Sequence, residues 1–136
     1  MKCRRPNESW IYSGLGSEEY FIEPTVFSDV TNTMTIAREE IFGPAQSVIS
    51  FDGTEDLVRL ANQTRCGLAA AIWTRDTSHA HRLAKSIRAD TVWVNTYGAL
   101  DPSVSFGGFK ESGVGRELGS HSLKAYTEIK CVYVGL

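Results

Sequence analysis

Residues 47–95 alternate short β-type runs with amphipathic helical segments, and this alternation restricts the possible folds more than any other feature of the chain. The β-type runs lie at residues 47–51, 68–73 and 91–95, and apolar residues recur at helical spacing between them. Consecutive strands that are joined by helices run parallel and are connected by right-handed crossovers. The sequence therefore predicts an α/β fold with a βαβαβ parallel-sheet core.

Both predicted helices carry signals for their ends. Thr54 is placed to cap the first helix, and Gly67 is available to end it. Asp76 or Thr77 can cap the second helix, which has an apolar stripe along one face. The nearly continuous apolar run at residues 68–73 predicts a strand that is buried on both faces.

The segments outside this core are less regular. Residues 1–19 are polar, lack a sustained period and predict an irregular N-terminal segment. Residues 20–27 are rich in aromatic and β-branched types, although Pro24 restricts a strand there to a sheet edge or splits it. Near the C-terminus we expect a helix over residues 116–126 and a β run over residues 129–134 that pairs with an earlier strand or with another chain.

The charge balance argues against several classes of partner. Lys and Arg number 14 and Asp and Glu number 16, so a formal net charge of -2 provides no basic field for nucleic acid or anionic lipid. The sequence has no apolar run of the roughly 20 residues that a membrane-spanning helix needs, and its first residues do not resemble a signal peptide. We therefore expect no nucleic-acid partner, no membrane partner and a cytoplasmic location.

The cysteines and histidines do not form a metal-binding pattern. Cys3, Cys66 and Cys131 are widely separated and include no C-x-x-C pair. His79 and His81 are two residues apart, which places their side chains about 200° from each other on a helix. We expect neither a metal site nor a disulfide framework.

Two glycine patterns begin like nucleotide-binding motifs and then depart from them. Gly108-x4-Gly113 starts like a phosphate-binding loop, but Val114 and Gly115 stand where that motif needs Lys and then Ser or Thr. Gly113-x-Gly115 starts like a dinucleotide fingerprint, yet Leu118 occupies the third glycine position. From residue types alone, these glycines favour a loop that turns tightly or lies close to another backbone.

A third pattern, residues 38–44, passes abruptly from charge to an apolar pair and a Gly-Pro turn. A carboxylate only accepts hydrogen bonds, so Glu40 at the edge of a cleft can bind a vicinal diol such as a ribose. Phe42 can pack against a flat ring. The alternative is an acidic residue that pairs with Arg38 and a phenylalanine in the core, and residue types alone favour this alternative.

Residues 20–136 resemble the last part of an NAD(P)-dependent aldehyde dehydrogenase. The matching signatures agree in order and spacing. They are Phe-Ile-Glu-Pro-Thr-Val-Phe at 21–27, Glu-Ile-Phe-Gly-Pro at 40–44, Thr-Val-Trp-Val-Asn at 91–95 and Phe-Gly-Gly-Phe-Lys-x-Ser-Gly-x-Gly-Arg-Glu at 106–117.

The resemblance implies roles for four residues at a cofactor and substrate site. Glu40 corresponds to the glutamate that holds the nicotinamide ribose hydroxyls, and Phe42 to the phenylalanine beside the nicotinamide of NAD or NADP. Phe106 matches an aromatic residue that lines the aldehyde pocket. Leu100 stands where many relatives have another aromatic residue at the pocket wall, and this departure leaves the choice of aldehyde open.

The resemblance also implies how the chain is divided. Residues 20–128 correspond to a partial, incomplete catalytic domain, and residues 129–136 correspond to a terminal β-strand that serves as an oligomerisation strand between subunits. Arg116 and Glu128 lie at positions that relatives use near this interface. We therefore hypothesise that they pair with each other or bridge subunits of a homo-oligomer.

The chemistry of the family requires groups that these matches do not include. It needs a cysteine thiolate that attacks the aldehyde, a glutamate base and a cofactor-binding domain, all expected upstream of the matched segments. Cys3, Cys66 and Cys131 all lack the Gly-Gln-x-Cys setting of the nucleophile. We assign no catalytic residue to the chain and expect that, in isolation, it neither oxidises aldehydes nor binds NAD well.

Three functional interpretations follow. The first is the C-terminal part of an aldehyde dehydrogenase, which in the complete enzyme oxidises an aldehyde to a carboxylic acid. The second is a non-catalytic oligomerising module, or a subunit of a split enzyme with a companion chain that carries the cofactor domain. The third is a small ligand-binding domain that uses the loop of residues 107–115.

Overall fold

The computed structural model describes residues 2–4 and 24–136 and shows an α/β protein in which strands pair mainly in parallel. The chain divides into two compact units, Met1–Thr64 and Arg65–Leu136. In the part of the chain that the structure describes, no helix combines the length and the apolar character that crossing a membrane requires.

The first unit is built on a three-stranded parallel sheet in the order β1-β2-β3. Its strands are β1 (Lys2–Arg4), β2 (Thr25–Phe27) and β3 (Ala45–Ser47). The short helix α1 (Thr35–Arg38) lies between β2 and β3, and α2 (Gly53–Asn62) follows β3. Burial of Phe27 and Val30 defines the core of this unit.

Helix α2 is closed at both ends by polar side chains. Asp56 in its first turn accepts a hydrogen bond from the Asp52 N–H at 3.1 Å, which satisfies a backbone donor just before the helix. Asn32 donates to the Leu60 carbonyl at 2.9 Å and so satisfies an acceptor in the last turn. The predicted cap at Thr54 is wrong by two residues, because the helix begins at Gly53 and Asp52 occupies the cap position.

The second unit contains a parallel pair of strands and an antiparallel pair. Strand β5 (Ala69–Ile72) runs parallel to β6 (Thr91–Val94), and α3 (Thr77–Ser86) connects them. Strand β4 (Cys66–Gly67) pairs antiparallel with β7 (Phe109–Lys110). A 3₁₀ helix spans Ser120–Ala125.

Helix α3 confirms the β-helix-β prediction for this part of the chain. Asp76 caps it by accepting from the His79 N–H at 2.9 Å, as the sequence predicts for Asp76 or Thr77. Ala80 and Leu83, one turn apart on the apolar stripe, are buried together with Ile72 of β5. The capping residue and the helical spacing of apolar residues were therefore sufficient to predict α3 between β5 and β6.

The first strand of the predicted βαβαβ core is displaced. Strand β3 ends at Ser47, whereas residues 48–51 lie outside any strand. The displacement follows from pairing with β2, since the Thr25 N–H donates to the Pro44 carbonyl and the Val48 N–H donates to the Phe27 carbonyl. Strand β2 is central rather than an edge strand, because Pro24 precedes its first residue and removes no ladder hydrogen bond.

Three further predictions fail for local reasons. Strand β5 is not buried on both faces in the described chain, because of its residues only Ile72 is buried and Ala69 is exposed. Gly67 does not end a helix, since α2 stops at Asn62 and Gly67 lies in β4. The helix over residues 116–126 shrinks to a 3₁₀ helix, because Leu118 and Gly119 have positive φ angles of 58° and 54° that interrupt a right-handed helix.

The predictions for the two ends of the chain have different outcomes. Lys2–Arg4, inside the segment predicted to be irregular, form strand β1, and the rest of residues 1–19 falls outside the described residues. Residues 129–134 form no strand within the described chain, and each of them is exposed. Pairing of this terminal segment with another chain stays a prediction.

Candidate functional site

The segment from Glu39 to Pro44 connects α1 to β3 and is held at both ends. The Glu39 N–H donates to the Thr35 carbonyl at 2.9 Å and closes the helix. The Pro44 carbonyl accepts from the Thr25 N–H at 2.9 Å and fixes the segment to β2. The residues between these anchors therefore occupy a defined position at the start of β3.

Phe42 has an unusual backbone and an unusual environment. Its φ angle is 52°, in the left-handed region that bulky residues rarely adopt. The residue is 91% exposed, so core packing does not compensate for this strain, which costs on the order of 1–3 kcal/mol. The alternative that Phe42 is a core phenylalanine is therefore wrong, and its exposed ring is available to a ligand.

Glu40 and Phe42 line the same surface depression. The depression is open to solvent, has a volume of about 470 Å³ and lies within the size range of small-molecule sites. Glu40 is exposed, and within the described residues it forms no ion pair with Arg38. The lining residues are Ile36, Ala37, Glu39, Glu40, Ile41, Phe42, Gly43, Ala45, Ser47 and Ile49.

The chemistry of this depression suits a ligand that carries both a diol and a flat ring. The Glu40 carboxylate can accept two hydrogen bonds from neighbouring hydroxyl groups of a ribose. The Phe42 ring offers an uncovered apolar face for a flat heterocycle. The depression therefore offers an acceptor for a diol and an apolar face for a flat ring.

The loop after β6 carries Leu100 and is fixed by Trp93. The Trp93 Nε1–H donates to the Ala99 carbonyl at 2.7 Å, and its ring meets the Tyr97 ring edge-on with centroids 5.1 Å apart. Leu100 follows this anchor and is 59% exposed. An apolar side chain next to a fixed backbone position is suited to form part of a pocket wall.

Asp101 orders the next turn of this loop. Its Oδ1 accepts from the Ser103 N–H at 2.8 Å and from the Ser103 hydroxyl at 2.7 Å. These hydrogen bonds, the hydroxyl first, lower the pKa of the Asp101 carboxyl below its ordinary value. The turn therefore favours the ionised form of this carboxyl.

Phe106 begins the glycine-rich loop of residues 106–117. Its N–H donates to the Glu117 carbonyl at 2.8 Å, and its carbonyl accepts from the Glu117 N–H at 2.7 Å. This pair of bonds is an isolated antiparallel bridge that closes the loop at its base. Phe106 is half-buried and so has a defined position in the second unit.

Arg116 is bound within its own unit. Its Nε lies 2.7 Å from Asp90 Oδ1, and Glu128 is exposed and forms no ion pair within the described residues. Arg116 therefore pairs with Asp90 rather than with Glu128 inside the chain, and the bridging of subunits stays a prediction. Asp90 was not identified from the sequence as the partner of Arg116. The only signal for it in the sequence was a carboxylate directly before the apolar run of β6.

The remaining candidates for chemistry are dispersed. Cys66 lies in β4 and Cys131 in the terminal segment, both exposed, and the side chain of Cys3 lies outside the described residues. Within residues 24–136 no cluster of three or more His, Cys, Asp or Glu side chains is arranged to hold a metal ion. The candidate residues are therefore Glu40 and Phe42, which share a depression in the first unit, and separately Leu100 and Phe106 in the second unit.

Known proteins of one family resemble this chain. The model of the aldehyde dehydrogenase family matches residues 9–132. An aldehyde dehydrogenase from Aspergillus niger is 54% identical over 121 residues, which are 89% of this chain and 24% of that protein. A betaine aldehyde dehydrogenase from Mesorhizobium japonicum is 50% identical over 115 residues, covering 85% of this chain and 24% of that protein.

Solved structures give the same result. The aldehyde dehydrogenase KauB from Pseudomonas aeruginosa superposes with a TM-score of 0.80 at 53% identity, over 85% of this chain and 23% of that one. The NAD+ complex of aldehyde dehydrogenase from Bacillus cereus gives a TM-score of 0.82 at 50% identity, over 86% of this chain and 24% of that one.

The chain belongs to the aldehyde dehydrogenase family. It spans 24% of the length of the first relatives named above, so it corresponds to one part of those proteins.

Proposed function

We propose that this chain is the C-terminal part of an NAD(P)-dependent aldehyde dehydrogenase, which in the complete enzyme oxidises an aldehyde to a carboxylic acid. Residues 20–128 then form part of the catalytic domain, and residues 129–136 form its oligomerisation strand. The observation that carries the proposal is that Glu40 and Phe42 line one depression, where Phe42 has a strained backbone and is 91% exposed.

In this proposal the first unit holds the nicotinamide end of the cofactor. The Glu40 carboxylate accepts hydrogen bonds from the ribose hydroxyls, and the Phe42 ring packs against the nicotinamide. When bound, the cofactor accepts a hydride from the substrate. The relative from Bacillus cereus was solved as a complex with NAD+, which supports NAD as one candidate.

The second unit contributes to the aldehyde pocket. Leu100 and Phe106 are apolar, and each lies beside a hydrogen-bonded anchor of the backbone. Together they supply part of an apolar wall and no proton-transfer group. They therefore influence which aldehyde is accepted rather than how it reacts.

We also propose that the chain does not catalyse the reaction alone. The described lining of the Glu40 and Phe42 depression contains no cysteine, so no thiol is placed there as a nucleophile. The nucleophile, the general base and the rest of the cofactor site then come from the other part of the enzyme. That part is either continuous with this chain or a companion chain.

A complementation assay tests this function. The chain is mixed with the upstream part of the Aspergillus niger relative, and aldehyde-dependent NADH formation is followed by absorbance. We expect activity only with both parts, and a roughly tenfold loss of NAD affinity for Glu40→Gln, since about 1.4 kcal/mol is tenfold and a hydrogen bond to a charged group contributes about that much.

The matched control is Glu55→Gln, the same change on the exposed first turn of α2. It should leave NAD affinity within about twofold. Equal behaviour of the two variants would remove the proposed role of Glu40. Activity of the chain without the upstream part would contradict the proposal that the nucleophile and the general base lie in that part.

One observation also favours an oligomerising role. Alternating apolar residues of the terminal segment are fully open to solvent, with Ile129 99% and Tyr133 95% exposed. An exposed apolar strand is a template for pairing with another chain. We propose that residues 129–136 pair with a second copy, and that deletion of these residues lowers the mass measured by light scattering while leaving α3 folded. The predicted cytoplasmic location stays a prediction.

A further inference from the structure

The glycine-rich loop of residues 106–117 is held from its interior by one carboxylate. Asp90 Oδ1 lies 2.7 Å from the Arg116 Nε, and Asp90 Oδ2 accepts from the Gly107 N–H at 3.0 Å. The Asp90 side chain is only 11% exposed. Asp90 therefore binds the first and the last part of the loop at the same time.

Arg116 extends this contact along the loop backbone. Its Nη1 donates to the Gly115 carbonyl at 2.6 Å and to the Gly108 carbonyl at 3.2 Å. Its guanidinium also lies over the Phe109 ring, 5.2 Å from the centroid, within the range of a cation–π contact. A planar guanidinium can reach all of these partners at once, whereas a lysine ammonium cannot.

The loop is too tightly packed around Arg116 to accept side chains at its glycines. A Cβ at Gly107 would lie 2.7 Å from Arg116 Cδ and 2.7 Å from the Gly115 carbonyl oxygen. A Cβ at Gly108 would overlap the Ser112 carbonyl carbon and the Gly113 nitrogen. These glycines thus allow close approach of backbone and arginine, which is the interpretation that their sequence pattern favoured.

The backbone of Phe106 is held by hydrogen bonds of its own groups and of the residue that follows it. Its own N–H and carbonyl are bonded to Glu117, the residue after Arg116. The next N–H, that of Gly107, is bonded to Asp90. The ring of Phe106 therefore projects from a backbone whose position depends on the Asp90 to Arg116 ion pair.

We propose that Asp90 and Arg116 are a positioning pair that fixes the Phe106 ring and thereby the size of the aldehyde pocket. The part of this statement that concerns the aldehyde rests on the proposed function. The part that concerns the loop rests on the hydrogen bonds alone. The two parts are tested separately.

Hydrogen exchange on the 136-residue chain tests the positioning of the loop. Asp90→Asn keeps the shape and removes the charge, and we expect exchange at the Gly107 and Glu117 amides to accelerate at least tenfold, with α3 unchanged. Arg116→Lys keeps the charge and loses the planar fork, and should give a smaller acceleration at the same amides.

The matched control for exchange is Glu111→Gln, which breaks the exposed ion pair between Arg65 and Glu111 on the same loop. In this control, exchange at the Gly107 and Glu117 amides should change less than twofold, since exposed ion pairs contribute little to stability. Equal exchange in Asp90→Asn and the control overturns the proposal. Loss of protection in α3 as well as in the loop, in both Asp90→Asn and Arg116→Lys, also overturns it, because the pair would then stabilise the fold in general.

Kinetics of the complemented enzyme test the effect on substrate choice. For Asp90→Asn we expect the KM for benzaldehyde to change at least fivefold, while kcat, the KM for acetaldehyde and the KM for NAD stay within twofold. A uniform loss of kcat, or no change in either KM, overturns the specificity claim. Absence of aldehyde activity in the unsubstituted complemented enzyme would reject the proposed function and this claim together, while hydrogen exchange still decides the positioning.

Discussion

The Asn95 side chain hydrogen-bonds both backbone groups of Thr74. Its Oδ1 accepts from the Thr74 N–H and its Nδ2 donates to the Thr74 carbonyl, each at 2.9 Å. Thr74 follows β5 and Asn95 follows β6, so one carboxamide joins the carboxyl ends of the two parallel strands. The loop that carries Leu100 leaves from this junction.

Replacement of Asn95 should destabilise the second unit. Asn95→Ala removes two hydrogen bonds of about 0.5–1.5 kcal/mol each and leaves a non-glycine residue at a φ angle of 55°. We expect a loss of about 1–3 kcal/mol from the two bonds, measured by urea denaturation. Asn95→Gly is the comparison variant, since it removes the same bonds but relaxes the backbone, and equal stability of the two would argue that the φ angle is not strained.

Phe42 should combine a functional contact with a cost in stability. Phe42→Ala and Phe42→Gly both remove the ring, but only glycine adopts a φ angle of 52° without strain. We expect the Gly variant to be about 1 kcal/mol more stable than the Ala variant in denaturant unfolding. Both should lose NAD affinity in the complemented enzyme, and a stability order of Ala above Gly would contradict the assigned strain.

Local signals in the sequence were enough to predict β5, α3 and β6. Asp76 is three residues before the amide it caps, and Ala80 and Leu83 lie one helical turn apart, so neighbours along the chain determine the helix. The segment around Glu40 and Phe42 was likewise visible as a turn. Its positive φ angle at Phe42 was not, because a phenylalanine carries no signal for the left-handed region.

Features that depend on distant pairing could not be predicted in the same way. Asp90 and Arg116 are 26 residues apart (116 − 90), and no local rule links a carboxylate before a strand to an arginine beyond a glycine loop. The position of β3 similarly depends on its register with β2. The apolar pattern at residues 47–51 indicated a strand but not the partner that shifts it toward Ala45.

The cap of α3 should make stability depend on pH in acid. The hydrogen bond from the His79 N–H is the largest cause that lowers the pKa of the Asp76 carboxyl below 3.8. A lowered folded-state pKa contributes stability that is present above the unfolded value and is lost as the pH falls through the folded value. We therefore expect the thermal midpoint of the parent chain to fall more steeply than that of Asp76→Asn below about pH 3.9.

The Asn variant keeps a capping oxygen without an ionisable group, so the difference between the two curves isolates Asp76. Asp76→Ala should be less stable than both at pH 7. Parallel curves for the parent and Asp76→Asn would show that the carboxyl has the same pKa in the folded and unfolded chains.

Gly67 should be intolerant of any side chain, for a reason unrelated to its predicted role at a helix end. A Cβ there would lie 2.7 Å from the Arg88 carbonyl oxygen and 3.0 Å from Phe109 Cβ, where β4 pairs with β7. Gly67→Ala must push apart these strands and the backbone at Arg88, which follows α3, and overpacking of this kind costs about 1–3 kcal/mol. Gly135→Ala is the control, because nothing lies within 4 Å of a Cβ at that position. In urea denaturation Gly67→Ala should unfold at lower concentration while Gly135→Ala matches the parent, since only the first change meets backbone that cannot move away. Equal midpoints for the two variants would mean that β4 and β7 separate without cost, and pairing with β4 would then not hold the glycine-rich loop that contains β7.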